Sequence, residues 1–154
     1  MAGNTTQFHN LGEEYILKAL LDLTITPVTS IEIGLFDDST DNLSANSDLA
    51  DITTEPNDGN YARQTITLNS TNITVELNTG RWQALIAQQD FDTVGTTSSV
   101  DSYFVALTFQ ADGDATPTKH LIFSGDLDQT YDLTPIDIFR LEDDTAGLRF
   151  SSPS

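Results

Sequence analysis

His9 and His120 are the chain's two histidines, and imidazole is the side chain that moves protons near neutrality. Neither has a second imidazole at a metal-ligand spacing such as H-x-x-x-H. Cysteine is absent, which excludes a thiolate zinc site, a cysteine nucleophile and any disulfide framework. A hydroxyl, an imidazole and a carboxylate can be drawn from any chain rich in Ser and Asp. No G-x-S-x-G frame marks one hydroxyl here, no Gly-rich loop would cradle phosphate, and no two carboxylates stand out as an acid–base pair for glycoside hydrolysis. No catalytic residue is therefore expected.

The segment Asp37-Asp38-Ser39-Thr40-Asp41-Asn42 sets oxygens at alternate positions, Asp37, Ser39 and Asp41, as a calcium loop does. It lacks the glycine at the sixth position and the glutamate at the twelfth. Asp112-Gly113-Asp114 and Asp126-Leu127-Asp128 are shorter versions of the same thing. Calcium or another cation is the only cofactor these residues suggest. A solvated acidic loop is the preferred reading, because clustered Asp is the background of this chain.

That background is 24 Asp plus Glu against six Lys plus Arg in 154 residues, a formal net charge of −18. Small soluble domains usually carry a magnitude of roughly 2–8, since more charge repels itself in the compact state. Acid runs along the chain and Lys is confined to Lys18 and Lys119. Such a surface suits molar salt, where the Debye length falls to about 3 Å. Disorder also favours high charge, but 38% of these residues are hydrophobic and they fall in periodic patterns, so a folded halophilic domain is expected. The charge argues against nucleic-acid binding, which needs a Lys/Arg footprint. No apolar stretch approaches the roughly 20 residues of a membrane span, and the first ten residues lack the pattern of a secretory leader.

The elements follow from periodicity. Residues 1–10 read as a polar arm. Asn10 and Glu13 have the spacing of an N-cap and its N3 acid, and Tyr15, Ile16, Ala19, Leu20 and Leu23 recur at helical intervals, predicting one helix over 11–23. From Ile31 the period becomes two. Ile31, Ile33 and Leu35 form one strand face; 64–68 and 72–77 read as a hairpin across Asn69-Ser70-Thr71. Tyr103 to Phe109, apolar on both faces, is the candidate sheet centre. Lys119–Phe123 reads as a strand ending at Gly125, Leu133 to Leu141 continues the pattern, and Leu148 with Phe150 supplies a last strand. The stretches 37–60 and 111–118 read as polar surface loops. The expected fold is one mainly β domain, an antiparallel β-sandwich or jelly roll over 28–150, with one N-terminal α-helix outside it.

Asn4, Asn42, Asn69 and Asn72 each begin an N-x-S/T sequon, a weak signal in a chain rich in Asn and Thr. Arg63 and Arg81 stand out because few cations remain, and an Arg among acids forms bidentate pairs that a Lys cannot. An intramolecular clamp between loop and sheet is preferred to a ligand contact for both. Trp82, the single Trp, reads as a core or subunit anchor before a sugar platform.

Three segments, Ile31-Glu32-Ile33-Gly34-Leu35-Phe36, then Gly59-Asn60-Tyr61-Ala62-Arg63-Gln64-Thr65-Ile66-Thr67, then His120-Leu121-Ile122-Phe123-Ser124-Gly125-Asp126-Leu127, together resemble a family of small tailed-phage structural proteins. Its members begin with a helix, continue with a strand ending in a Gly-Leu-Phe-like triplet, cross a variable loop and enter a G-x-Y-A-R-Q strand. The resemblance implies a virion component: capsid decoration, head fibre or minor tail protein. It makes Gly59, Tyr61, Ala62, Arg63 and Gln64 structural motif positions, and it transfers no catalytic residue. The chain departs from the pattern in its long acidic loop and its Asp bias.

Joined to the salt argument, the resemblance implies a non-enzymatic decoration or turret subunit on the head of a tailed virus of halophilic archaea. It would assemble as a homo-oligomer on the major capsid protein or other virion proteins. A tail or fibre component touching the host surface is the alternative, and a secreted carbohydrate-binding or hydrolytic β-sandwich is the third reading.

Overall fold

The computed structural model describes residues 6–21, 28–78, 81–142 and 147–149, with backbone alone for residues 78, 81, 82 and 147–149. In chain order the elements are β1 (Thr6–Phe8), α1 (Asn10–Leu21), β2 (Ser30–Phe36), α2 (Asp38–Asp41), a 3-10 turn (Leu49–Asp51), β3 (Gln64–Thr67), β4 (Ile73–Asn78), β5 (Arg81–Ile86), β6 (Gln89–Asp92), β7 (Ser99–Phe109), β8 (Thr118–Asp132), β9 (Ile138–Leu141) and β10 (Gly147–Arg149). The fold is mainly β with one main helix. Antiparallel pairing builds a five-stranded sheet, β1-β8-β7-β2-β3, a three-stranded sheet, β10-β5-β4, and a two-stranded ribbon, β6-β9. The arrangement is sandwich-like.

Period two sorts the side chains of the large sheet onto two faces. One face presents Ile31, Ile33 and Leu35 of β2 with Tyr103, Val105 and Leu107 of β7, packed against Ile86, Phe91, Phe139 and Leu141 of the smaller sheets. The opposite face carries Phe36, Phe104, Ala106 and Leu121, covered by Leu43, Leu49 and Ile52. Fully burying one such Phe is worth about 1.5–3 kcal/mol. β7 is therefore central and apolar on both sides, as its composition predicts. β2, expected to be half-buried, is covered on both faces as well.

Several expectations change. The arm pairs as β1 through Phe8↔Phe123, Gln7↔Ser124 and Thr6↔Gly125; residues 1–5 lie outside the described residues. The helix starts one residue early: Gly12 N and Glu13 N donate to His9 O, while the Asn10 side chain donates to Asn46 instead of capping. Its fit depends on Gly12, where a Cβ would stand 2.5 Å from Ile122 O. Tyr15 packs edge-on to Phe109, whereas Leu20 is exposed, and Leu23 lies outside the described residues.

The 64–77 hairpin does not form. β3 pairs with β2 and β4 with β5, so Asn69-Ser70-Thr71 is a crossing between sheets, closed by Asn69 Oδ1 accepting from Thr71 N and Asn72 N. Gly125 does not end its strand. β8 runs through it, and its missing side chain admits the Tyr103 ring opposite, 2.6 Å from where a Cβ would be. The 37–60 stretch is the cover of the second core, not a free loop. β10 supplies the last strand up to Arg149; Phe150 lies outside the described residues.

Candidate functional site

Two of the three segments that carry the family resemblance, 31–36 and 59–67, meet at one corner of the large sheet. Gly59 has φ +62°, and a Cβ there would collide with Thr96 N and, at 2.6 Å, with Val94 O, so the chain passes here only as glycine. Asn60 N donates to Val94 O, and Asp58 Oδ2 accepts from Thr97 N and Thr97 Oγ1. The Tyr61 ring stacks on Phe91 at 5.8 Å. Its hydroxyl accepts from Leu35 N at 2.8 Å and donates to Glu55 Oε1 at 3.2 Å. Burial, with the Glu55 carboxylate, pushes that phenol far above its ordinary range.

Arg63 closes the corner. Its Nε and Nη2 donate to Glu55 Oε1 and Oε2 at 2.8 and 2.6 Å, Nη1 lies 3.5 Å from Glu32 Oε2, and the guanidinium sits 5.0 Å from the Phe104 ring centre. The Glu55 hydrogen bonds hold its proton even more firmly than usual. Arg63 thus clamps the 37–58 loop to β2 and β7. Ala62 is exposed and its carbonyl accepts from Gln64 Nε2, while the Gln64 backbone opens β3 opposite Ile33. Gly34, paired with Phe104 of β7, leaves space that the Phe104 ring fills; a Cβ there would run into that ring.

His120 is the second centre, and nothing in its sequence spacing marks it. It is buried, with Nδ1 3.1 Å from Asp48 Oδ2 and Nε2 2.8 Å from Asp114 Oδ2 and 2.9 Å from Thr118 Oγ1. Burial opposes its charge, but the hydrogen bonds to Asp114 and Asp48 outweigh that and hold the imidazole above its usual range. The same bond holds Asp114 below the usual carboxylate range. Thr118, His120 and Asp48 trace a hydroxyl–imidazole–carboxylate line. A general base needs a free lone pair towards the hydroxyl, and here Nε2 keeps its proton for Asp114. The line is an ion-pair clip.

His9 shows the opposite state. It is fully buried, with Nδ1 2.9 Å from Ser44 O and Nε2 3.1 Å from Ser124 Oγ. Burial lowers its proton affinity. A neutral ring donating from Nδ1 and accepting at Nε2 satisfies both contacts.

Of the calcium candidates, Ser39 is bonded to Asp37 while Asp41 has other partners. Asp37 accepts from the hydroxyls of Ser39 and Thr40, and the Ser39 bond holds it below the usual carboxylate range. Asp41 turns to Thr53 and Thr54; burial would raise its pKa, but those donors outweigh it. Among the described residues no group of three or more His, Asp or Glu is arranged to hold a metal ion. Beside them, Asp38, Asp101 and Asp126 line a shallow depression of about 370 Å³. Burial raises Asp38, and Asp101 and Asp126 add to it, although Asp38 Oδ1 accepts from Leu43 N and Asp101 accepts from Asp38 N and Ser39 N. Asp38 and Asp101 thus serve as acceptors for the backbone of the 37–60 stretch.

No family model, curated protein or solved structure matches the chain. The likeness to tailed-phage structural proteins therefore stands on the quoted segments alone. What the geometry offers chemically is fastening: Lys18, Arg63, Lys119 and Arg140 each meet a carboxylate. The side chains of Arg81 and Trp82 lie outside the described residues.

Proposed function

We propose that this chain is a non-enzymatic virion structural protein, a decoration or turret subunit that assembles as a homo-oligomer on the head of a halophilic tailed virus, with the outline of a jelly roll. The observation that carries the reading is the contrast between its polar and apolar surface. The polar clusters that could have done chemistry are spent on holding loops to sheets, whereas Leu17, Leu20 and Leu21 stand 57%, 71% and 80% exposed on α1 at i, i+3, i+4. An apolar stripe on an otherwise acidic surface is where a neighbour in an assembly docks. Molar salt screens the repulsion between acidic subunits and leaves such apolar contacts intact.

Removing the whole N-terminus would tear out β1 and His9, so the test is a triple variant, Leu17→Glu, Leu20→Glu and Leu21→Glu. Particles assembled with it are expected to lose the protein while the purified variant unfolds at the wild-type temperature. Full occupancy of particles by the variant would refute the helix as the docking face. The alternative, a tail or fibre component touching the host, is separated by antibody labelling of intact virions, where label on heads supports the reading and label confined to tails removes it.

A further inference from the structure

β4 lies at the end of its sheet, paired to β5 on one side and to no strand on the other among the described residues. Free edges elsewhere are short: β1 has three residues and β3 has four. β4 has six, pairs with β5 in one unbroken register, and contains none of the devices that blunt an edge: no Pro, no Lys, no bulge. Val75 and Leu77 on it are 65% and 59% exposed.

Charge distribution singles out the same place. β4, β5 and β10 together hold one acid, Glu76, and two cations, Arg81 and Arg149, so their formal charge is −1 + 2 = +1. The rest of the chain then carries −18 − 1 = −19. The strands of the five-stranded sheet sum to a net negative charge, as do those of the β6-β9 ribbon, so this is the least acidic of the three sheets through which two copies could meet.

We propose that the free edge of β4 is a self-association surface, where β4 of a second copy adds antiparallel about a two-fold axis centred on Val75, joining the two three-stranded sheets into one of six. Residues opposite one another in an antiparallel pair share a face. A two-fold pairing must therefore centre on a residue. Centring on Glu76 sets the two Glu76 side chains against each other, a destabilising like-charge pair. Centring on Val75 sets Val75 against its copy, Ile73 against Leu77 and Thr74 against Glu76, with apolar contact on one face and no opposed charges. The contact is isologous, so it closes at two copies and does not propagate into a fibre. This inference deepens the homo-oligomer reading above by naming the interface.

The chain has no cysteine, so Val75→Cys places a single thiol at the axis. Residues facing each other across such a pair have Cα atoms about 4.5–5.5 Å apart, within the range a disulfide bridges. In molar KCl, mild oxidation of Val75→Cys is expected to give several-fold more covalent dimer than Thr116→Cys, an exposed loop control. Sedimentation of the unmodified full chain should give twice the mass of one copy, and Val75→Lys should weaken that dimer by about tenfold or more without changing the unfolding temperature of the separated chain. A chain that stays monomeric at every salt and protein concentration, or equal crosslinking from the Val75→Cys and Thr116→Cys variants, overturns the proposal. Particles that still carry the protein would then leave the virion reading standing. A covalent dimer formed by Val75→Cys, with the protein absent from particles, would do the reverse.

Discussion

His120 Nδ1 lies 3.1 Å from Asp48 Oδ2, and the other oxygen of that carboxylate accepts from Leu121 N at 2.8 Å. One acid thus fastens the cover of the second core to two successive residues of β8. Four residues before Asp48, Ser44 O meets His9 Nδ1. The same loop is held by two histidines, one needing its charge and the other needing to lack it.

For His120 the folded-state pKa lies above the unfolded value of about 6.5. The stability it contributes is complete below pH 6.5 and is lost as pH rises through the folded pKa, because a neutral ring has one N–H for two carboxylates. His120→Gln is expected to cost about 2 kcal/mol at pH 6 and to remove most of the fall in stability on the alkaline side. Urea titrations from pH 6 to 9 measure this; an unchanged alkaline slope would show that His120 is not the clip.

His9 carries the opposite sign. Its folded pKa is depressed, so its contribution is present above about pH 6.5 and is lost as pH falls through the folded value. His9→Gln keeps a donor and an acceptor without the titration. The variant should lose stability at pH 7 yet show a shallower decline between pH 6.5 and 5 than the parent. A parallel decline in both chains would mean that carboxylates alone govern that range.

The sequence made strands legible where the residue pattern was strong: Ile31, Ile33 and Leu35 alternate with Glu32 and Gly34 in β2, and the unbroken apolar run of β7 marks a strand covered on both faces. β5 and β6 were not visible: β6 has a single apolar residue, Phe91, and β5 opens with Arg81 and carries a buried Gln83. Gly125 misled for a physical reason. A glycine that ends a strand and one that admits a facing aromatic ring look identical until the partner, Tyr103, is known. The His120 clip was illegible because Asp48 is 72 residues away in sequence, and in so acidic a chain no particular Asp stands out.

Gly125 yields a sharp steric test. Gly125→Ala sets a methyl 2.6 Å from the buried Tyr103 ring and should cost about 1–3 kcal/mol. Adding Tyr103→Leu in the same chain should recover part of that cost, since the ring is the obstacle. If Gly125→Ala is neutral in thermal unfolding, the β7–β8 register is wrong at this point.

The Arg63 clamp separates geometry from charge. Arg63→Lys keeps the cation but loses the fork on Glu55 and the stacking over Phe104, and about 1–2 kcal/mol of stability should go with them. Glu55→Gln should cost at least as much, because Tyr61 and Arg63 both lose their acceptor charge. The double variant should cost less than the sum, the signature of a direct pair. Strict additivity across that cycle would remove the clamp.

Salt separates the local pairs from the global charge. Arg63 and Glu55 are 28% and 17% exposed, so their pairing is only weakly screened, whereas a net charge of −18 acts over distances that salt cuts from about 10 Å at 0.1 M to 3 Å at 1 M. Stability should therefore rise from dilute buffer to molar KCl; each kcal/mol gained raises Tm by about 2–4 °C in a chain of this size. KCl also acts on apolar surface, so the charge effect needs its own control. Asp112→Asn with Asp137→Asn removes two exposed acids whose side chains fasten no loop, and it should flatten the rise by stabilising the chain at low salt while leaving the molar-KCl Tm in place. A Tm that falls with added KCl, or an equal rise in the variant, would mean that self-repulsion is not what limits this fold in dilute buffer.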